Sequence, residues 1–175
     1  MASELQVTTL RGNPTGANAN QILIPTGQTL TAPGHVIQCL HASTTTTIHN
    51  TTTTFADLTG MTVTITPSAT NSLIFISGSI AFTASRASNV DIHARTRLLR
   101  DSTEISGKDI RTYDYGVGGI YLHTPVTYSF VDQPSTTSAV VYKFQAKRVS
   151  ADTTQSTMNG EAGNRSEMVI LEIAQ

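Results

Sequence analysis

The chain has 175 residues, of which 13% are charged, 38% are hydrophobic and 30 are threonine. This length predicts one domain of ordinary size, since two full enzyme domains need a longer chain. The formal net charge is −1, and the 11 Lys and Arg residues are spread along the sequence, which argues against a nucleic-acid-binding surface. No apolar run approaches the ~20 residues of a membrane span, and the N-terminus lacks the pattern of a secretory signal, so we expect neither membrane insertion nor export.

Residues 1–34 differ from the rest of the chain. Short apolar groups alternate here with Gly, Asn and Pro, and they provide too little apolar material for a core of their own. We therefore expect an extended N-terminal β arm or stalk that is ordered by docking on the main domain or on copies of itself from neighbouring chains. Its candidate docking residues are Leu5, Val7, Leu10, Ile22 and Ile24.

From residue 35 onward, apolar and polar side chains alternate with the period of a β-strand. The segments that show this pattern are residues 35–42, 61–66, 73–83, 90–100, 104–107, 120–130, 140–146 and 168–173. The last segment is apolar on both faces, which is typical of a strand inside a sheet and not at its edge. Three connections are long enough to be read as loops, namely residues 43–54, 109–119 and 151–166.

These segments predict an all-β fold, since β-branched residues fit a pleated sheet and no segment has the pattern of an amphipathic helix. About eight strands joined by turns favour an antiparallel jelly-roll β-sandwich. The domain plan is a short N-terminal arm at residues 1–34 and a jelly-roll head at residues 35–175.

The residues that usually hold metals do not form a recognised motif. The sole cysteine, Cys39, cannot make an internal disulfide, and no Cys and His cluster offers four zinc ligands. His35 and His41 have the same strand parity and could surround an ion on an oligomer axis, although ordinary surface histidines are the simpler interpretation. We expect no metal site and no cofactor.

The carboxylates Glu104, Asp109 and Asp114 lie close together in the sequence, as a polysaccharide-cleaving spike would require. Nothing in the sequence gives them a raised pKa or a defined separation, and solvated loop carboxylates explain them as well. No nucleophile motif is present, and the Gly-rich stretch at residues 115–120 leads into a strand, whereas a phosphate-binding loop leads into a helix. We therefore expect no catalytic residue.

Two groups of residues are candidates for contacts with partners. Arg111, Tyr113, Asp114 and Tyr115 lie in a glycine-containing segment, where aromatic rings and planar donors suit binding to a sugar or a protein. An ordinary hairpin, with its tyrosines packed on the sandwich or at a subunit interface, remains the alternative for this segment.

A second group shares one strand face. Asp91, His93, Arg95 and Arg97 form either a polar face between subunits or a plain solvated face.

Three phrases resemble a pattern found in tailed bacteriophages of aquatic bacteria, including cyanophages. Residues 57–74 resemble the element "tGlsvsITPssasSkIlv", residues 128–145 resemble "sfsylDsPnTtsattYkvq", and residues 168–175 resemble the C-terminal "itlmEIa". The order of the phrases is the same, and they cover nearly all of residues 34–175. The middle phrase is the most specific, since Asp132, Pro134, Thr136 and Tyr142 match it in spacing.

The resemblance implies a virion structural protein of the tail-fibre type, with a jelly-roll head similar to C1q and tumour-necrosis-factor trimers. Residues 20–38 resemble the stalk repeats that precede such heads, but the stalk here is very short. The implied function is a homotrimeric fibre or spike subunit, assembled in the host cytoplasm, that docks on other virion proteins through its N-terminal arm and binds a host-surface glycan or protein without catalysis. A capsid decoration protein or head fibre is the alternative, and a polysaccharide depolymerase is a third reading.

Overall fold

The computed structural model describes Thr15, Thr26 and residues 32–86, 91–112, 119–149, 153–159 and 163–175, with only the backbone described for residues 120 and 153–155. The chain divides into two units, Met1–Ala32 and Pro33–Gln175. The second unit contains every strand described below. Within the described residues, no helix is long and apolar enough to cross a membrane.

Ten strands form two antiparallel sheets. The strands are β1 (Val36–Thr44), β2 (Ile48–Asn50), β3 (Ala56–Ile65), β4 (Leu73–Arg86), β5 (Ile92–Arg100), β6 (Thr103–Thr112), β7 (Ile120–Asp132), β8 (Val140–Arg148), β9 (Thr153–Met158) and β10 (Ser166–Ile173). In the first sheet, β4 pairs with β7 on one side and with β10 and β9 on the other, and β1 and β2 lie beyond them. The second sheet has the order β3-β8-β5-β6.

Eight of these strands form nested antiparallel pairs. β1 pairs with β10, β3 with β8, β4 with β7 and β5 with β6, so the chain is one long hairpin rolled into two sheets. This pairing is that of a jelly roll, which confirms the predicted fold class and its eight principal strands. β10 lies between β1 and β4, so the strand that is apolar on both faces is indeed internal.

The strand alternation places one face of each sheet in a common core. Ile76 on β4, Leu98 on β5 and Phe144 on β8 are fully buried. Along each of these strands, the side chains that alternate with the buried ones point outward. Gly78 is needed for this packing, because a Cβ there would lie 2.8 Å from the ring of Phe144. The core therefore requires a glycine on a strand interior, a position where glycine otherwise weakens a strand.

Two of the predicted loops contain strands. β2 lies within residues 43–54 and β9 within residues 151–166, and they pair with each other beside β4. Each is short, and its partner is more than 100 residues away, so local periodicity gave no signal. The third predicted loop, residues 109–119, is also shorter than expected, because β6 continues to Thr112.

Asn159 joins the interrupted strands. It is buried and has a positive φ of 53°, and its side-chain amide donates to the carbonyl oxygens of Thr44 (3.0 Å) and Thr46 (3.2 Å). Its carbonyl side-chain oxygen accepts a hydrogen bond from Ser166 (2.9 Å), and its backbone N–H donates to Ala81. Through its side chain and backbone, Asn159 thus links the end of β1, the connection that leads into β2, β10 and β4, directly after β9.

Candidate functional site

A continuous set of charged and amide side chains covers the outer face of the second sheet. We call it the polar ladder. It crosses β3, β8, β5 and β6 in that order, and it includes all four residues of the predicted polar strand face. Its members are Asp57, Asp91, His93, Arg95, Arg97, Glu104, Asp109, Arg111, Lys143 and Gln145.

Arg95 lies at the centre of the polar ladder. Its guanidinium donates to Glu104 (2.7 Å) and to Asp109 (3.0 Å), while Arg97 contacts Glu104 (3.3 Å) and donates to Gln145 (2.8 Å). Gly107 leaves room for this arrangement, since a Cβ there would lie 2.6 Å from a Glu104 carboxylate oxygen. The charged and amide groups of the polar ladder therefore form ion pairs and hydrogen bonds with one another within a single chain.

The polar ladder continues from Gln145 to the edge of the sheet. The Gln145 amide donates to Asp57 (2.6 Å), and the ammonium of Lys143 contacts the same carboxylate (3.0 Å). The hydrogen bond from Gln145 is the largest influence on the Asp57 carboxyl, whose pKa is lowered. Beside this end of the ladder, the Arg97 guanidinium lies 3.7 Å from the ring centroid of Phe55, a cation–π contact.

The carboxylates considered for polysaccharide cleavage belong to this network. Burial acts to raise the pKa of Glu104, but hydrogen bonds from Arg95 and Arg97 outweigh it and the pKa is lowered. A general acid in glycoside cleavage needs the opposite shift, so Glu104 is poorly suited to that role. Asp109 binds Arg95 and also lies 3.4 Å from His93, and Asp114 lies outside the described residues.

The predicted contact residues are only partly described. Arg111 lies in β6, not in a loop, and its guanidinium binds Asp91 at 2.7 Å, which makes it part of the polar ladder. Tyr113, Asp114 and Tyr115 lie outside the described residues. Arg111 also borders a cleft of about 450 Å³ that lies between β6 of the second sheet and β7 of the first sheet. The contact role of this group stays a prediction.

The outer face of the first sheet is different, because apolar side chains cover one end of it. We call this surface the apolar face. Val131, Phe75, Leu171 and Cys39 form a row across β7, β4, β10 and β1. The next row consists of Leu73, Ile173 and Val36. Val169, on β10, lies on the opposite side of the row that contains Phe75.

The exposure of the apolar face is unusual for strand side chains. Val131 is 52% exposed and Val36 is 42% exposed. Cys39 is also exposed, and the other side chains of this surface are half-buried. Adjacent strands lie about 4.8 Å apart, so the row from Val131 to Cys39 spans roughly 14 Å. Contiguous apolar surface of this kind marks an interaction site more often than a free surface.

The described histidines do not form a metal site, and the N-terminal docking residues cannot be placed. His35 and His41 are both exposed, and residues 32–86, 91–112, 119–149, 153–159 and 163–175 contain no cluster of three metal-ligating side chains. The alternative of an ion on an oligomer axis is not tested by these residues. The five proposed docking residues, Leu5, Val7, Leu10, Ile22 and Ile24, lie outside the described residues.

Sequence reasoning did not identify the apolar face as a site, although signals for it were present. The alternation in residues 73–83 was assigned to one inward face, and the outward Phe75 was not considered. The last strand was correctly recognised as apolar on both faces, but this was interpreted only as an internal position. A strand in a two-layer sandwich has one face on the core, so its second apolar face must lie on the outside of the sheet.

Comparison with known proteins does not assign the chain to a family. No protein-family model matches the sequence, and no curated protein matches it significantly. Three similar solved structures come from infectious bursal disease virus. They are the T13 viral particle (10% identity, TM-score 0.45, 90% of this chain and 36% of that one), the VP2 subviral particle (13%, 0.40, 90% and 38%) and the Gx strain (12%, 0.40, 93% and 38%).

The chain therefore spans little more than a third of the length of these viral chains. Neither the identities nor the scores are high enough to transfer a function to it.

Proposed function

We propose that the chain is a virion structural protein, a homotrimeric phage fibre or spike subunit that binds the host surface without catalysis. The observation that carries this proposal is the apolar face. Its rows contain no charged side chain among the described residues, so the neighbouring copies of the chain around a three-fold axis are suitable partners for it. Burying it between copies would remove apolar area from water, worth about 25 cal/mol per Å².

The sequence resemblance to phage fibres supports the same proposal, since its most specific residues have structural roles in the jelly roll. The Tyr142 hydroxyl donates to Asp132 at 2.7 Å, and Arg100 binds the same carboxylate at 3.0 Å. Ser72 and Glu172, from the other two phrases, bind each other at 2.7 Å. The residues that match the phage pattern therefore stabilise the fold, and we expect the receptor contacts to be made by other residues.

Non-catalytic attachment suits a protein of this architecture. Three copies of a weak binding surface, held rigidly in one trimer, bind a repetitive host surface with a much higher avidity than one copy does. The polar ladder and the segment that includes Arg111 remain candidates for contacts with subunits or host, as proposed from the sequence.

Electron microscopy of particles labelled with an antibody against the chain tests this function. Label at the tail tip or baseplate is the expected result. Label over the capsid shell would replace the fibre with a decoration protein that has the same fold. Purified particles that carry no label would contradict both virion roles.

A further inference from the structure

Two aromatic side chains form an exposed pair on β7. Tyr121 and His123 lie two residues apart on the outer face of the strand, with ring centroids 6.2 Å apart and an interplanar angle of 20°. Tyr121 is 66% exposed, more than Val131 and Val36 of the apolar face. The pair was not considered from the sequence, because the alternation of β7 was followed only on its inward face.

His123, the inner member of the pair, borders a small cavity. A space of about 240 Å³ opens beside the His123 ring, between β4, β7 and Asn164. The Thr83 hydroxyl lies 3.1 Å from His123 Nδ1 and holds the imidazole in its orientation. Thr124 and Pro125 complete the side of the cavity on β7. The volume is below the roughly 300–1,000 Å³ of sites for drug-sized ligands, so it suits a single small ring.

The lining chemistry limits the class of ligand. The described residues around the cavity include no Asp, Glu, Lys or Arg, so a phosphate or a carboxylate would find no counter-charge. Thr83 and Asn164 offer hydroxyl and amide groups, which donate to and accept from ligand hydroxyls. The aromatic pair offers a flat apolar surface next to these polar groups. A pyranose ring has the same two properties, with apolar C–H faces and hydroxyls around its edge.

We propose that Tyr121, His123 and the adjoining cavity bind one neutral pyranose ring of a glycan. The ring stacks on the aromatic pair, and its hydroxyls reach past His123 into the cavity toward Thr83 and Asn164. This inference rests on the proposed function, which it deepens by naming the ligand class and the residues that contact it.

The position of the pair fits an attachment protein. Tyr121 is opposite Ser85 on β4, and Val131 of the apolar face is opposite Phe75. Ten residues separate Phe75 from Ser85, which corresponds to about 33 Å along the strand. Assembly through the apolar face therefore leaves the aromatic pair accessible at the opposite end of the same sheet.

The test is a titration of the whole chain with methyl glycosides of glucose, galactose, mannose and N-acetylglucosamine at millimolar concentration. The Tyr121 and His123 ring resonances are observed by NMR. At least one glycoside is expected to shift both, and added salt should change the affinity little, because no charge takes part. Tyr121→Ala is expected to weaken binding about tenfold or more, whereas Tyr121→Phe keeps the ring and most of the affinity. Ser129→Ala, on the same face of β7, is the matched control.

The inference is overturned if no glycoside shifts these resonances, or if Tyr121→Ala binds as tightly as the unaltered chain. The same variants separate this outcome from failure of the proposed function. A trimer found on virions without sugar binding would remove only the inference. Sugar binding that depends on Tyr121, in a chain absent from virions, would retain the site and remove the virion role.

Discussion

Glu172 is the clearest case of a single residue that organises one end of the sandwich. Its carboxylate is fully buried and accepts hydrogen bonds from Gln38 Nε2 (2.6 Å), Ser72 Oγ (2.7 Å), and the backbone N–H and hydroxyl of Ser68 (both 2.6 Å). Burial acts to raise its pKa, but these hydrogen bonds outweigh it and the pKa is lowered. The charged form therefore holds β1, β10 and the connection between β3 and β4 together.

We expect Glu172→Gln to lower the free energy of unfolding by about 2–3 kcal/mol at neutral pH. In glutamine an NH₂ group replaces one carboxylate oxygen, so a hydrogen-bond donor would face the donors that this oxygen now accepts from. The lowered pKa gives the pH dependence a defined sign. The stabilisation by Glu172 is present above its ordinary pKa of about 4.3, and it is lost as the pH falls through the lowered value.

Urea unfolding as a function of pH measures both effects of Glu172→Gln, and the variant should lose less stability in acid than the unaltered chain. Glu167→Gln, at an exposed position on the same strand, should stay within about 0.5 kcal/mol at neutral pH. Equal acid sensitivity of the unaltered chain and the Glu172 variant would contradict this assignment.

Tyr142 and Asp132 form a second buried contact that the sequence resemblance had singled out. Burial and the hydrogen bond to Asp132 raise the pKa of Tyr142, so the phenol stays protonated and donates at neutral pH. Tyr142→Phe should cost about 1–2 kcal/mol of unfolding free energy, since Asp132 keeps its contact with Arg100. Chemical denaturation measures this, with the exposed Tyr121→Phe as the control. A loss no greater than that of the control would show that the hydrogen bond contributes little.

At the scale of elements, the pairing of β2 with β9 depends on Asn159 more than on the two strands themselves. β2 has three residues and β9 has six, and so short a pair adds little stability by itself. The amide of Asn159 binds the end of β1, the connection that leads into β2, and Ser166 of β10, and so fixes the ends of this strand pair. The positive φ at this position also favours Asn over most other residues.

Asn159→Ala is expected to destabilise the chain by about 2–4 kcal/mol, through loss of three side-chain hydrogen bonds and strain at positive φ. Asn159→Gly removes the same hydrogen bonds without the strain, so its effect should be smaller by about 1 kcal/mol. Amide hydrogen exchange locates the change. His49 and Thr157 should exchange faster in both variants, while Ile76 in the core of the sheet should be affected much less. Uniform acceleration across all three amides would mean that Asn159 supports the whole fold and not this strand pair.

The strands that alternate strongly could be predicted from sequence, and those that depend on distant partners could not. The inward residues of β3, β4, β5 and β8 were identified because their period is that of a half-buried strand. β2 and β9 were missed, since their pairing comes from Asn159 and from a neighbour more than 100 residues away. Of the polar ladder, only Asp91, His93, Arg95 and Arg97 were assigned to an outward face from the sequence, because the partners of these residues on other strands depend on the sheet order.

At the scale of the whole molecule, the two sheets have outer faces of opposite character. The second sheet carries the polar ladder, whose exposed ion pairs contribute about 0–1 kcal/mol each and leave a hydrated surface. The first sheet carries the apolar face at one end and the aromatic pair at the other. Because the two ends of the first sheet differ in this way, we propose that the apolar face assembles copies of the chain and the aromatic pair contacts the host.

The most direct test of this account is the mass of the chain in solution, measured by native mass spectrometry at micromolar concentration. We predict a trimer for the unaltered chain and a folded monomer for Val131→Asp, because a charge cannot be buried in an apolar interface without a partner. Thr64→Asp, on the exposed face of β3, should remain trimeric. Circular dichroism checks that each variant keeps its β structure. A monomeric unaltered chain, or a Val131→Asp variant that still forms trimers, would contradict assembly through the apolar face.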